Sequence, residues 1–306
     1  MIVRRKEIEQ LTADIRRIID GQAVDMRDNL EGRLSILKND IHILAERLNE
    51  QTNILQKEKI ALSNTLADIS HQLKTPLTAM MVMVELLENA PPEKAAEFII
   101  NLKQGLNQTS WLVNSLLKMA KLDSGSVVFS PINIPVSTLL ELALQPLQVL
   151  LDIKNQQVKL SGAGRSPKGE LLAHASGAGR SPKGELLAHA SGASNITLWC
   201  DKNWTAEALT NVIKNASEHS PEGSTIDVTA GENPLTRWVS VTDNGDGIPP
   251  TKIKGLFQRF GDSKQGTGIG LPLSLAIMQG QNGDIVVDGG GNKCGAVFTL
   301  KFYHRV

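Results

Sequence analysis

Aromatic side chains make up only 4% of this 306-residue chain, with a single tyrosine. Its cores must therefore be built mainly from Leu, Ile, Val and Met. Cysteine is almost missing. The two present, Cys200 and Cys294, form no metal-ligand spacing and are too few for a disulfide framework, which fits a reduced, cytoplasmic setting. Neither sign of charge is in excess: 32 basic residues balance 32 acidic ones, so the basic footprint of a nucleic-acid binder is lacking. No apolar run approaches the roughly 20 residues that span a bilayer, and no signal peptide is read. The chain does open Met1-Ile2-Val3-Arg4-Arg5-Lys6. An apolar stub before a basic cluster is what lies just inside a transmembrane helix under the positive-inside tendency. The expectation is a soluble fragment from the cytoplasmic side of a membrane receptor.

Long helices are the first thing the chain does have. Ile8, Leu11, Ile15, Ile18 and Ile19 predict an amphipathic helix over 7–19, broken at Gly21. Leu30, Leu34, Leu37, Ile41, Leu44 and Leu48 recur at alternating spacings of four and three, a coiled-coil pattern. The pattern changes phase between Leu48 and Leu62, a local stutter where two seam packings could compete. It resumes through Leu62, Leu66, Ile69, Leu73, Pro76, Met80, Met83 and Leu87. After Pro91-Pro92 a second helix carries Ile99, Leu102, Leu106, Thr109, Val113, Leu116 and Ala120, and closes near Asp123-Ser124-Gly125. Such a hairpin cannot cover its own apolar stripe, whereas two copies can, as a four-helix bundle. A homodimer is predicted.

Beyond Gly125 the pattern shortens. Val127–Phe129, Ile132–Pro135, Gln157–Leu160, Ile196–Cys200, Ile226–Ala230, Trp238–Thr242, Asp284–Val287 and Ala296–Phe302 read as extended pieces. Helices are predicted over 136–153, 204–218 and 271–280. Mixed strands and helices point to a two-layer α/β sandwich. The fold class is thus α + α/β: a long coiled-coil helix, a dimeric four-helix bundle, then the sandwich. One stretch interrupts it. Residues 161–175 read SGAGRSPKGELLAHA and 176–190 repeat them identically, with a third start at Ser191-Gly192-Ala193. This insertion, 161–193, is read as a mobile surface segment with no assigned role; His174 and His189 are weak metal candidates.

Five short motifs carry chemistry. In Asp68-Ile69-Ser70-His71-Gln72-Leu73-Lys74-Thr75-Pro76-Leu77, His71 lies about 200° around the helix from Ile69 and from Leu73, so it points away from the apolar seam. Asn211 and Asn215 share one helical face, and amide oxygens suit Mg²⁺. In Asp243-Asn244-Gly245-Asp246-Gly247-Ile248, an Asp after a strand can accept a hydrogen bond from an exocyclic amine, while the glycines let backbone approach a ring. Phe257-Gln258-Arg259-Phe260 supplies two aromatics and a guanidinium. Gly266-Thr267-Gly268-Ile269-Gly270-Leu271 opens a helix whose free N–H groups suit phosphate.

In this order, the five motifs resemble the complete set of a sensor histidine kinase of a two-component system, over about residues 60–302 apart from the insertion. The resemblance implies the ATP-binding fold shared with gyrase- and heat-shock-type ATPases. It divides the chain into membrane-proximal signalling helices (1–57), a dimerisation and phosphotransfer domain (58–125) and a catalytic ATP-binding domain (126–306). It implies that His71 accepts a phosphoryl group from ATP and passes it to an aspartate of a response regulator. Asn215 would hold Mg²⁺, with Asn211 beside it. Asp243 would recognise the adenine amine, with Gly245, Gly247 and Ile248 shaping the base pocket. Gly266, Thr267, Gly268, Gly270 and Leu271 would form the lid hinge and phosphate contact. Phe257 and Phe260 would anchor a short lid, and Lys264 or Arg259 would touch phosphate.

One departure is visible. Many members carry Glu or Asp immediately after the histidine, and here it is Gln72. Gln cannot act as a base, although its carbonyl can orient the imidazole. Gln72 and Thr75 could orient a water that hydrolyses the regulator's phosphoaspartate, so kinase and phosphatase activities are both expected. Two other readings compete. A water-activating ATPase of the related fold would need a Glu where Asn211 stands. A non-catalytic dimeric nucleotide-binding scaffold would not need the intact motif set.

Overall fold

The computed structural model of the protein describes residues 5–19, 33–88, 90–162, 187–188, 196–261, 268–290 and 295–303. Packing divides the chain into two units, 1–70 and 71–306.

The first unit is helical. Helix α1 spans Arg5–Ile19, and α2 starts at Arg33 and continues without a break to Leu87 in the second unit. Leu11 and Ser35 are buried, whereas Ile36, Leu37, Ile43, Leu44, Leu48, Ile54 and Leu55 are exposed. The helix runs on through 48–62, where the apolar pattern changes phase. The hydroxyls of Thr52, Thr65 and Ser70 each donate to the carbonyl four residues back, at 2.8 Å. The break at Gly21, Met1–Arg4 and the first coiled-coil position, Leu30, lie outside the described residues.

In the second unit the end of α2 turns into α3, Pro92–Asp123, which begins with proline at its first position, where no N–H is needed. Of the predicted seam, Leu73, Pro76, Met80, Met83 and Leu87 are half-buried, as is Ile69 in the first unit, whereas Leu62 and Leu66 are exposed; His71 is exposed. The hairpin closes tightly, because a Cβ on Gly105 would lie 2.9 Å from Met80 Cγ. Helix α3 also has a face that periodicity alone assigned to nothing. Leu112, Ser115 and Met119 are its most buried residues, and Leu112 and Met119 belong to the core of the following domain.

That domain is a sheet covered by helices. Strand β1, Pro131–Pro135, pairs antiparallel with β4, Thr197–Asp201. A mixed sheet of six strands has the order β3-β2-β5-β6-β8-β7. Its members are β2 (Gln157–Gly162), β3 (Leu187–Ala188), β5 (Thr225–Glu232), β6 (Thr236–Thr242), β7 (Gly283–Asp288) and β8 (Val297–Tyr303). Helices α4 (Val136–Leu144), α6 (Lys202–His219) and α8 (Gly270–Gly280) cover one face. Strand alternation turns Val158, Leu160, Ile226, Val228, Ala230, Val239, Val241, Ile285, Phe298 and Leu300 toward them.

Three readings are refined. The helix expected over 136–153 is interrupted by a 3₁₀ turn at Gln145–Leu147 and resumes as α5, Gln148–Ile153, because Pro146 has no N–H to continue the ladder. This stretch has mean hydropathy 1.3 over 18 residues, yet Val136, Leu139, Leu140, Ala143, Leu147 and Leu151 sit in the domain core. Val127–Phe129 forms no strand. Within the repeated segment, Leu187–Ala188 pairs parallel with Lys159–Leu160 at the sheet edge; most of the remaining insertion, with His174 and His189, lies outside the described residues. Cys200 is buried on β4, and burial pushes its thiol up to about 11.

Candidate active site

His71 stands on the exposed side of α2, with Thr75 also exposed and Gln72 half-buried. Proline five residues after the histidine shapes the backbone here. Pro76 sits inside the helix without an N–H, so the Gln72 carbonyl loses its usual donor. One residue earlier, Thr75 Oγ1 donates to the His71 carbonyl at 3.2 Å. The hydroxyl of Thr75 is thereby held along the helix, one turn beyond the imidazole.

The nucleotide motifs converge on the end of the sandwich where β6, α6 and α8 meet. Helix α6 is started by Asp201, whose Oδ1 accepts from the N–H groups of Asn203 and Trp204 at 3.0 and 3.1 Å, while Oδ2 accepts from Ser130 N–H at 2.9 Å. This fixes the helix that carries Asn211 and Asn215. Asn215 is half-buried. Asn211 is 5% exposed, and its Nδ2 is buried with no hydrogen-bond partner among the described residues. It lies against the start of α8: a Cβ on Gly270 would come within 3.6–3.8 Å of the Asn211 side chain. The first turn of α8 has no side-chain cap; Pro272 has no N–H and Leu273 N–H donates to the Ile269 carbonyl at 2.9 Å, which leaves the N–H groups of Gly270 and Leu271 to donate. Leu271 is buried beneath it.

Asp243 follows β6 and is 3% exposed. Its Oδ1 accepts from Gly245 N–H at 3.0 Å and Ala296 N–H at 2.9 Å, and its own N–H donates to the Ala296 carbonyl at 3.0 Å. Both side-chain bonds fall on one oxygen. Oδ2 accepts none among the described residues and can take a hydrogen bond from a ligand. Gly247 has φ +78°, a left-handed conformation in which a side chain would be strained. Ile248 N–H, at 2.7 Å from the Gly289 carbonyl, ties the end of this loop to β7.

Phe257 and Phe260 are half-buried against the domain core. Phe260 holds φ 57°, and its N–H donates to the Gly268 carbonyl at 3.0 Å. Gly268 is itself at φ +64° and so close that a Cβ would lie 2.9 Å from Phe260 Cα. Phe260 and Gly268, on either side of 262–267, are thus joined. Gly266, Thr267 and Lys264 lie outside the described residues. Arg259, expected to reach phosphate, instead bonds Asp123 Oδ1 at the end of α3 through Nη2 at 2.7 Å. The sequence reading did not include Gln156, Ser217 and Ser220, which brace the C-terminal end of α6. No local signal marks Gln156 out: it stands in the polar run Lys154-Asn155-Gln156-Gln157, and its partners lie more than 60 residues away.

Two family models match the chain. One, described as a His Kinase A (phospho-acceptor) domain, covers residues 61–125, and the other, a histidine kinase-, DNA gyrase B-, and HSP90-like ATPase, covers 200–305. Among curated relatives, the signal transduction histidine-protein kinase BaeS of Escherichia coli (strain K12) is 22% identical over 284 residues, spanning 90% of this chain and 54% of that protein. Sensor histidine kinase WalK of Bacillus subtilis (strain 168) is 26% identical over 249 residues, 77% of this chain and 36% of that one. The chain therefore spans about half, or less, of these relatives' length. In fold it is similar to the Acinetobacter baumannii histidine kinase AdeS, with a TM-score of 0.56 at 19% identity, covering 76% of this chain and 97% of that one. It is also similar to histidine kinase ThkA in its complex with response regulator protein TrrA, with a TM-score of 0.58 at 16% identity, covering 85% and 67%.

Proposed function

Because this chain belongs to the sensor histidine kinases of two-component systems, we propose that it carries their ATP-dependent phosphotransfer core, with His71 as the acceptor. The observation that carries this reading is Asp243, a buried carboxylate with one oxygen held by two backbone N–H groups and the other open to an exocyclic amine. An exposed imidazole on α2 supplies the nucleophile in the same chain. A ring nitrogen of His71 attacks the γ-phosphorus, the bond to the ADP oxygen breaks, and the ring loses its proton. A neutral imidazole carries the lone pair that the attack needs. A loose transition state leaves the protein mainly position and charge to supply.

Within this reading Asn211 and Asn215 serve the phosphates. The buried, unpartnered Nδ2 of Asn211 is a donor that a phosphate oxygen would satisfy, and the half-buried Asn215 offers an amide oxygen to Mg²⁺. When bound, Mg²⁺ would offset the charge of the phosphates. Gly245, Gly247 and Ile248 shape the base pocket. Gly266, Thr267, Gly268, Gly270 and Leu271 make the phosphate side, with Phe257 and Phe260 as anchors. Lys264 remains a candidate phosphate contact, and Arg259 becomes one only on leaving Asp123.

The partners follow from the same chemistry. The exposed stripe of α2 and α3 supports a homodimer, and the phosphoimidazole would hand its phosphoryl group to a receiver-domain aspartate. Gln72 and Thr75, near His71, would orient a water for the opposing reaction, hydrolysis of the regulator's phosphoaspartate to release inorganic phosphate. A working position at the cytoplasmic face of a cell membrane is supported by Arg4-Arg5-Lys6, a cluster that anionic headgroups attract. The proposed domain limits remain 1–57, 58–125 and 126–306.

The test is incubation of the purified protein with Mg²⁺ and γ-labelled ATP. Acid-labile label is expected on the wild type, and none on His71→Ala, which should bind nucleotide unchanged. Equal labelling of both proteins would defeat the assignment of His71.

A further inference from the structure

Gln156 lies on the tight connection between α5 and β2, and nothing in the phosphotransfer reading uses it. It is nonetheless 5% exposed and is the most extensively bonded side chain of its loop. Its Nε2 lies 3.2 Å from the Ser217 carbonyl, 3.2 Å from the Ser220 carbonyl and 3.0 Å from the Pro221 carbonyl. Its Oε1 accepts from Ser217 Oγ at 2.6 Å. These carbonyls belong to the last turn of α6 and the chain that leaves it. Helix ends present carbonyls with no intrahelical donor, and buried ones must find a partner. The two N–H groups of one amide are shared among these three carbonyls, and Lys154 Nζ, 2.7 Å from the Ser217 carbonyl, supplies a further donor there.

What rests on this helix end is the adenine-facing loop. Ser220 Oγ accepts from the Asn244 N–H at 3.1 Å, and Asn244 Nδ2 donates to the Thr225 carbonyl at 2.8 Å. Gly245 packs so closely on the His219 carbonyl oxygen that a Cβ there could not be accommodated. Gly245 N–H in turn holds Asp243 Oδ1. A chain of direct contacts thus runs from Gln156 through 217–220 to Asn244, Gly245 and the Asp243 carboxylate.

We propose that Gln156 is a positioning residue for base recognition: by fixing the C-terminal end of α6 it sets where Asp243 meets the exocyclic amine of the nucleotide. This rests on the ATP-binding reading above. The amide is specific to the task. A carboxylate at 156 would set oxygen against three carbonyl oxygens, and a methionine would fill the space but leave those carbonyls without the donor. A leaving-unsatisfied cost of that kind is large enough to move a loop rather than be absorbed by it.

The experiment measures dissociation constants of ATP and GTP, with Mg²⁺, for the whole chain and for Gln156→Met, alongside far-UV circular dichroism and melting. ATP carries the amine that Asp243 would read and GTP carries a carbonyl there. The wild type is expected to prefer ATP. Gln156→Met is expected to bind ATP about tenfold more weakly and to lose most of its preference over GTP. His71 phosphorylation at saturating ATP should stay within about twofold of wild type.

An unchanged ATP constant, or a weaker one with the ATP-to-GTP ratio intact, would overturn the proposal, since a merely structural role lowers both affinities together. Should Gln156→Met fail to fold, Ser217→Ala removes the 2.6 Å bond that orients the amide. It is expected to shift the ratio in the same direction by about threefold; an unshifted ratio counts against the proposal. A wild type that binds neither nucleotide would sink the ATP reading itself, an outcome distinct from all of these.

Discussion

The helices before Gly125 and the sandwich after it treat their apolar residues in opposite ways. In the sandwich Phe298, Leu209, Ile213 and Leu300 are fully buried within one chain. On α2, Leu62 and Leu66 are 60% and 56% exposed, and on α3, Leu106 is 63% exposed. A sheet with helices on one face can close its own core, because each strand offers every second residue to the same layer. A single helical hairpin has no second layer. Its stripe stays open until other helices meet it, and a second copy of the chain is the simplest source of them. One region is thus complete as a monomer, while the other makes its stability depend on protein concentration.

That contrast can be broken from either side. Phe298→Ala empties the centre of the sandwich and is expected to remove about 3–5 kcal/mol from it. Urea melting followed through nucleotide binding should show the loss, while the helical signal of α2 and α3 persists. A single coincident loss of both signals would mean that the two regions unfold as one. Leu66→Glu works on the other side. A charge brought into the helical seam of a dimer is expected to cost about 3 kcal/mol or more of association. Light scattering should then report half the wild-type mass at the same concentration, with ATP binding preserved. A mass that does not change removes Leu66 from any dimer contact.

A smaller effect belongs to the joint between them. Asp123 at the end of α3 and Arg259 beside the lid form an ion pair whose side chains are 46% and 42% exposed. Lys118 and Glu207 form a second pair between α3 and α6 at 2.8 Å. Exposed pairs of this kind contribute little, so Asp123→Ala is expected to change stability by no more than about 1 kcal/mol, and by less in high salt. A double-mutant cycle with Arg259→Ala gives the coupling directly. A value well above this range would show that Leu112 and Met119, buried nearby on α3, make the pair part of a larger locked contact.

Much of this architecture is legible in the sequence. The seam of α2 could be read because helical periodicity is a local property: Ile69, Leu73, Met80 and Leu87 share a face whatever surrounds them, and His71 falls off it. The stretches Ile226–Ala230 and Ala296–Phe302 read as extended for the same reason, and they fall on β5 and β8. The break at Pro146 was written in the sequence too, but an apolar run on both sides outweighed one proline. The second face of α3 was not legible. Leu112, Ser115 and Met119 fit a helical stripe as readily as Val113, Leu116 and Ala120 do, and only a neighbour decides which stripe is covered.

The site divides along the same line. Residue type and order by themselves determined that a histidine on a helix precedes an asparagine pair, an Asp-Gly loop and a glycine-rich helix start, because each of these is a short-range pattern. The tertiary structure alone decided what holds them. Ala296 reaches Asp243 from 53 residues away, Gln156 reaches Ser217 from 61 residues away, and Arg259 turns to Asp123 across 136. Hydrogen bonds between distant segments leave no period in a sequence: they depend on how the sheet and its helices bring loops together, and that is settled only when the core closes.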